Sequence, residues 1–202
     1  MSDISNLWDA AKQEERQLVE SCAQSDSLSV VGNPCSLTWI CAPTDIFEER
    51  HLKQIMGRHL LNNQGWGTLV DKKHGWANKL GWEVLPAAKG SSTLPFFTMQ
   101  LTNLTVPVRV VTFFYMKSYG DKWANSQAKV AISGSDSSTN VTEAPPPFVR
   151  MVEGYHNQNV SISYTETMVL PIPIAKGQNL TLQVEMVNGT AFKIQGMMFC
   201  SR

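Results

Sequence analysis

The sequence predicts a mainly β protein, an antiparallel β-sandwich of jelly-roll-like character with two N-terminal helices. Three observations lead there. Short segments rich in Val, Ile, Phe and Thr recur along the second half of the chain at hairpin-like spacing, separated by turn residues. No helical pattern alternates with them, so the parallel sheet of an α/β fold is not expected. The chain has 202 residues, 43% of them hydrophobic, enough to bury one sizeable core and too many for a disordered protein.

From the N-terminus, residues 4–23 read as a helix. Ser5 is its candidate N-cap, and Leu7, Trp8, Ala11, Leu18 and Val19 fall at helical spacing between charges. The stretch Leu28 to Ile40 is β-rich and broken by the turn Gly32-Asn33-Pro34. Asp45 to Glu48 has capping-box spacing. Behind it Ile46, Phe47, Leu52, Ile55, Met56, His59 and Leu60 line one face of a second helix ending near Leu61, closed by Asn62-Asn63-Gln64-Gly65. β-type segments follow at Leu94–Leu101, Val106–Tyr119, Ala128–Ser133, Val160–Thr165, Met168–Ile174, Leu180–Val187 and Ala191–Cys200. Val108 to Tyr115 is apolar on both faces, as in a strand central to its sheet. Leu180, Leu182, Val184 and Met186 alternate and should face inward. Asn188-Gly189 reads as a two-residue hairpin turn into the last strand, and Ser133 to Pro147 as an exposed loop. The expected organisation is a helical subdomain over residues 1–64 and a β-sandwich over 65–202.

Charge narrows the partners. Lys and Arg number 17 and Asp and Glu 17, so no basic footprint for nucleic acid is present. The longest nearly apolar run, Val106 to Met116, is interrupted by Arg109 and is shorter than the ~20 residues a membrane span needs. Residues 1–25 carry no apolar signal-peptide core.

Five N-x-[ST] sequons nonetheless point to the secretory pathway: Asn103, Asn140, Asn159, Asn179 and Asn188. The four cysteines, Cys22, Cys35, Cys41 and Cys200, lack zinc-type spacing and suggest two disulfides. If Ser36 to Ile40 is a strand, Cys35 and Cys41 stand about 20 Å apart at ~3.3 Å per residue, beyond the ~7 Å a bridge tolerates. Cys22 then pairs with one of them and Cys200 with the other. The expectation is an extracellular glycoprotein whose signal, or an upstream partner domain, lies outside this chain.

No catalytic constellation emerges. There is no G-x-S-x-G elbow and no phosphate-binding glycine loop. The four histidines fall in separate segments except His51 and His59, whose eight-residue spacing does not suit a joint zinc site, so neither metal nor cofactor is expected. Glu83, Glu143, Glu153, Glu166 and Glu185 lie in the β region with no pair marked for glycoside chemistry. The aromatics stand out more. Trp66, Trp76 and Trp82 lie among Lys73, His74 and other polar residues, and Tyr119 and Trp123 follow the long apolar strand. The plainer reading is that these rings lock loops onto the core. The functional reading is a surface on which sugar rings stack.

The order Lys73-His74-Gly75-Trp76, Leu80-Gly81-Trp82, then Val110-Val-Thr-Phe-Phe-Tyr-Met-Lys-Ser-Tyr-Gly-Asp-Lys-Trp-Ala and Ala128-Lys-Val-Ala-Ile resembles a β-sandwich accessory module of algal and plant secreted SGNH/GDSL-like proteins. The resemblance covers residues 70–133 and departs where that module carries Pro-Gly, here Leu80-Gly81. It implies a non-catalytic, glycosylated, extracellular domain. The combined expectation is a non-enzyme acting through surface contacts. It would serve either as a self-assembling subunit of a sheath, cell wall or filament, or as a glycan-binding module. The alternatives are an esterase-like or glycan-modifying enzyme fragment and a viral jelly-roll capsid protein.

Overall fold

The computed structural model describes residues 35–40, 49–73, 77–86, 94–135 and 146–201. They form two antiparallel sheets with one helix beside them. The elements are β1 (Cys35–Ile40), α1 (Glu49–His59), β2 (Leu60–Gln64), β3 (Trp66–Lys73), β4 (Ala77–Val84), β5 (Phe96–Leu101), β6 (Val108–Lys117), β7 (Gln127–Ser135), β8 (Phe148–Glu153), β9 (Ile162–Ile174), β10 (Asn179–Asn188) and β11 (Lys193–Cys200). One sheet runs β3-β4-β11-β6-β9 with β1 also pairing β11; the other runs β2-β5-β10-β7-β8.

The core is the alternation made solid. Phe97, Met99 and Leu101 of β5 face inward, as do Leu180, Leu182, Val184 and Met186 of β10. They meet Val111 and Phe113 of β6 and Ile194, Met197 and Phe199 of β11 in one continuous cluster. Burial of side chains this size, ~1.5–3 kcal/mol each, is what holds the layers together. β6 lies between β11 and β9 and is buried along most of its length, as its two apolar faces predict. On α1, Leu52 and Met56 are fully buried and Ile55 packs against the same cluster.

Among the described residues there is one helix, and the helix expected over residues 4–23 lies outside them. Three expectations change. The second helix ends at His59, and Leu60–Gln64, expected to finish and close it, is the strand β2. The strands expected at 160–165 and 168–174 merge into the single strand β9, which begins at Ile162. Asn188-Gly189 is not a hairpin turn, because β10 and β11 belong to different sheets and the chain crosses between them. Gly189 is required there for another reason. It has φ 79°, and a Cβ would come within 2.6 Å of the Ser126 Cα. On the N-terminal side of residue 65, β1 pairs with β11 and β2 with β5, so both are strands of the sandwich.

Candidate functional site at the tyrosine end of the sandwich

β3 and β4 settle the fate of two tryptophans. Their register opposes Trp66 to Val84 and Trp82 to Thr68, which turns both rings inward. Trp66 and Trp82 are 2% and 6% exposed and pack edge-on to Phe97 at 5.1 and 6.2 Å. Trp123, 5% exposed, closes a small cluster with Met116 and Ala191. None of these three presents a ring face to solvent, so the expected tryptophan surface is corrected to core packing. Lys73 ends β3, and His74 and Trp76 lie outside the described residues.

The tyrosines behave differently. The chain has four, Tyr115, Tyr119, Tyr155 and Tyr164, and the fold gathers them at the end of the sandwich where β6 and β8 finish and β9 begins. Tyr115 and Tyr164 are register partners across β6 and β9. Tyr119 follows β6, and Tyr155 bridges to Ser118. Tyr119, Tyr155 and Tyr164 are each more than a third exposed.

Backbone bonds fasten the loops that carry Tyr119 and Tyr155. Ser118 N–H donates to Gly154 O at 3.0 Å, His156 N–H to Ser118 O at 3.0 Å, and Gly154 N–H to Ser126 O at 2.8 Å. The Ser118 and Ser161 hydroxyls share a hydrogen bond of 2.7 Å, and the Ser126 hydroxyl donates to Ala191 O. Gly154 is the only residue type that fits, since a Cβ would lie 2.6 Å from Ser126 Oγ and 2.9 Å from Phe192. The platform is therefore pre-formed.

An aromatic row runs from core to rim. Phe192 stacks on Tyr115 at 5.7 Å and 11°, Tyr115 meets Tyr164 at 6.2 Å, and Tyr164 meets His156 at 6.4 Å. The Lys117 ammonium lies 4.8 Å from the Tyr164 ring centre and 5.9 Å from that of Tyr115. Burial lifts the Tyr115 phenol to about 12, and Glu166, Tyr164 and Glu153 add to the rise. The carboxylates are engaged. Glu166 binds Arg150 through Nη2 at 2.6 Å and Nε at 2.7 Å, joining β9 of one sheet to β8 of the other, and Glu153 accepts from Gln127 at 2.5 Å. The site thus offers partly exposed rings, hydroxyls and ionic groups on strand ends and hydrogen-bonded loops. Among the described residues no group of three His, Cys, Asp or Glu could hold a metal.

The sequons divide between the two ends. Asn103 and Asn179 meet at the far end, where Asn179 Oδ1 accepts from Asn103 N–H at 2.9 Å. Asn159 and Asn188 are exposed at the tyrosine end, and Asn140 lies outside the described residues. Backbone register sets Cys35 directly opposite Cys200 across β1 and β11. Cys22 and Cys41 lie outside the described residues.

Sequence reasoning named Tyr119, placed Tyr115 at the end of the long central strand, and missed Tyr155 and Tyr164. One signal was available. Along β9, positions 164 and 166 are Tyr and Glu, while 168 and 170 on the same face are Met and Leu. That face turns polar toward the strand's start, which marks a rim.

No family model matches the chain, and no curated protein matches it. Among solved structures it is similar to the K2 cleaved adhesin domain of Lys-gingipain (14% identity, TM-score 0.41), covering 87% of this chain and 96% of that one. It is similar also to the CBM22-1 xylan-binding domain of Paenibacillus barcinonensis Xyn10C (10% identity, TM-score 0.41; 69% and 83% covered). A third is the Arthrobacter globiformis T6 isomalto-dextranase complexed with panose (16% identity, TM-score 0.39), matched over 67% of this chain but 21% of that one.

Proposed function

We propose that the chain is a non-catalytic glycan-binding module whose ligand lies on the tyrosine end of the sandwich. The single observation that carries this reading is the segregation of the aromatics. Every tyrosine lies at one end, Tyr115 and Tyr164 on paired strands and Tyr119 and Tyr155 on the fastened loops, and three of them are partly exposed, whereas Trp66, Trp82 and Trp123 are buried. Tyrosine suits a carbohydrate because its ring face packs on the apolar side of a pyranose while its hydroxyl meets the sugar hydroxyls. The engagement of Glu166 by Arg150 and of Glu153 by Gln127 supports binding over general acid–base work, which needs a carboxyl group free to exchange its proton.

The eight strands β4 to β11 support a jelly-roll-like reading, since their orders β4-β11-β6-β9 and β5-β10-β7-β8 set most successive strands in opposite sheets. The secreted, glycosylated and disulfide-bonded character and the kinship with SGNH/GDSL accessory modules belong to the same proposal. The exposure of Asn159 and the opposition of Cys35 to Cys200 support it. Self-assembly is a second reading, favoured by the exposed Val149 and Met151 on the edge strand β8.

The test is binding to a panel of soluble oligosaccharides by titration calorimetry, with Tyr155→Ala and Tyr164→Ala beside the parent. Binding that both substitutions weaken about five- to tenfold supports the site. Binding that neither changes overturns it.

A further inference from the structure

From the charge arrangement at the tyrosine end we infer that the preferred ligand is an acidic sugar, with its carboxylate on the Lys117 ammonium. This inference rests on the glycan-binding reading and names the ligand class. Lys117 is half-buried at the end of β6, and its described contacts are the rings of Tyr164 and Tyr115. The nearby carboxylates do not reach it. Glu166 is taken by Arg150, and Glu153 is held by the Gln127 amide. A tyrosine face steadies a cation only weakly where solvent has access, leaving the ammonium's hydrogen-bonding capacity open to an anion.

The other cations near this end are committed differently. Lys122 and Lys193 both bind the buried Glu83, at 2.8 and 2.9 Å. Lys129 pairs with Glu185 on the outer face of the other sheet. Among the described residues Lys117 is thus the cation held against the aromatic row without a carboxylate partner, positioned so that a sugar lying on the tyrosines brings its carboxylate within reach. A uronate ring carries its carboxylate at the edge of the pyranose, as this geometry asks. A neutral sugar of the same shape leaves the charge unanswered.

The experiment compares an oligogalacturonate with its methyl ester, which keeps the ring and removes the charge. Calorimetry is run on the full chain and on Lys117→Gln and Lys117→Arg, each checked for fold by circular dichroism. The expected result is about five- to tenfold tighter binding of the acid than of the ester. Lys117→Gln should bring that ratio close to one, Lys117→Arg should keep it, and added salt should diminish it. Equal binding of acid and ester by the parent overturns this inference and leaves the glycan-binding reading intact. A preference that survives Lys117→Gln overturns it too, because the charge is then read elsewhere. Failure of acid, ester and the neutral panel alike overturns both.

Discussion

Replacing Lys193 by methionine probes the least ordinary feature of the sandwich, an ion pair inside it. Lys193 and Glu83 are cross-strand partners on β11 and β4, with their side chains 0% and 1% exposed and Nζ 2.9 Å from Oε2. Gly81 makes the room, since a Cβ there would lie 2.6 Å from Lys193 Cγ and 2.7 Å from Ile194 O. At 2.9 Å and an effective dielectric of about 20, the gross attraction is about 6 kcal/mol. Desolvating two ions costs several kcal/mol each, so the pair as a whole contributes little net stability.

Removing one partner is another matter. The Glu83 carboxylate stays buried and loses its Oε2 contact, while Lys122 still holds Oε1 at 2.8 Å from a position 44% exposed. The expected loss is about 3 kcal/mol, the low end for a broken buried pair. That corresponds to a fall in Tm of about 6–12 °C for a chain of this size. The double variant Lys193→Met, Glu83→Leu should recover to within about 1 kcal/mol, because no charge is left buried. Urea unfolding followed by tryptophan fluorescence reads both. A single variant within about 0.5 kcal/mol of the parent, or a double variant no better than the single, would refute this electrostatic account.

Trp66→Ala should destabilise the fold by about 3–5 kcal/mol through the cavity it leaves, whereas Tyr155→Ala should leave the unfolding midpoint nearly unchanged and lower glycan affinity; the opposite pattern would return the binding surface to the tryptophans. His59 sits at the end of α1 with Nδ1 3.3 Å from Gln100 O, and burial holds its pKa below 6.5. The unfolded chain therefore binds the extra proton first as pH falls through 6.5, and stability should drop there; His59→Gln should flatten that limb in urea titrations run from pH 7.5 to 5. Tyr115, raised to about 12, gives the reverse sign: the stability it contributes is present below pH 10 and is lost as pH rises through about 12. Phenolate absorbance should show a late step that Tyr115→Phe removes. Non-reducing peptide mapping should recover Cys35 linked to Cys200, and a Cys200 peptide linked to any other cysteine would contradict the register argument.

Much of the architecture was legible in residue order. The inward set Leu180, Leu182, Val184 and Met186 follows from period-two alternation, and the central place of β6 from its apolar residues on both faces. The face of α1 carrying Leu52 and Met56 follows from helical spacing behind the capping signal. These are local patterns, and local patterns set which side of an element seeks the core. The strands β2, β3, β4 and β8 were not legible, because turn-like amides, glycines and charges dilute their alternation. They exist because a neighbouring strand supplies their hydrogen bonds.

The tyrosine end shows the same division. Sequence alone marks where hydrophobic faces and turns lie, and it offers the tryptophans as the natural aromatic surface. Only the pairing of β3 with β4, and of β4 with β11, turns Trp66 and Trp82 inward. Only the approach of Ser118 to Tyr155 and of Tyr115 to Tyr164 sets tyrosines distant in the chain side by side. The physical reason is that burial of an aromatic ring is decided by what the opposite strand and sheet place over it, and those partners are remote in sequence.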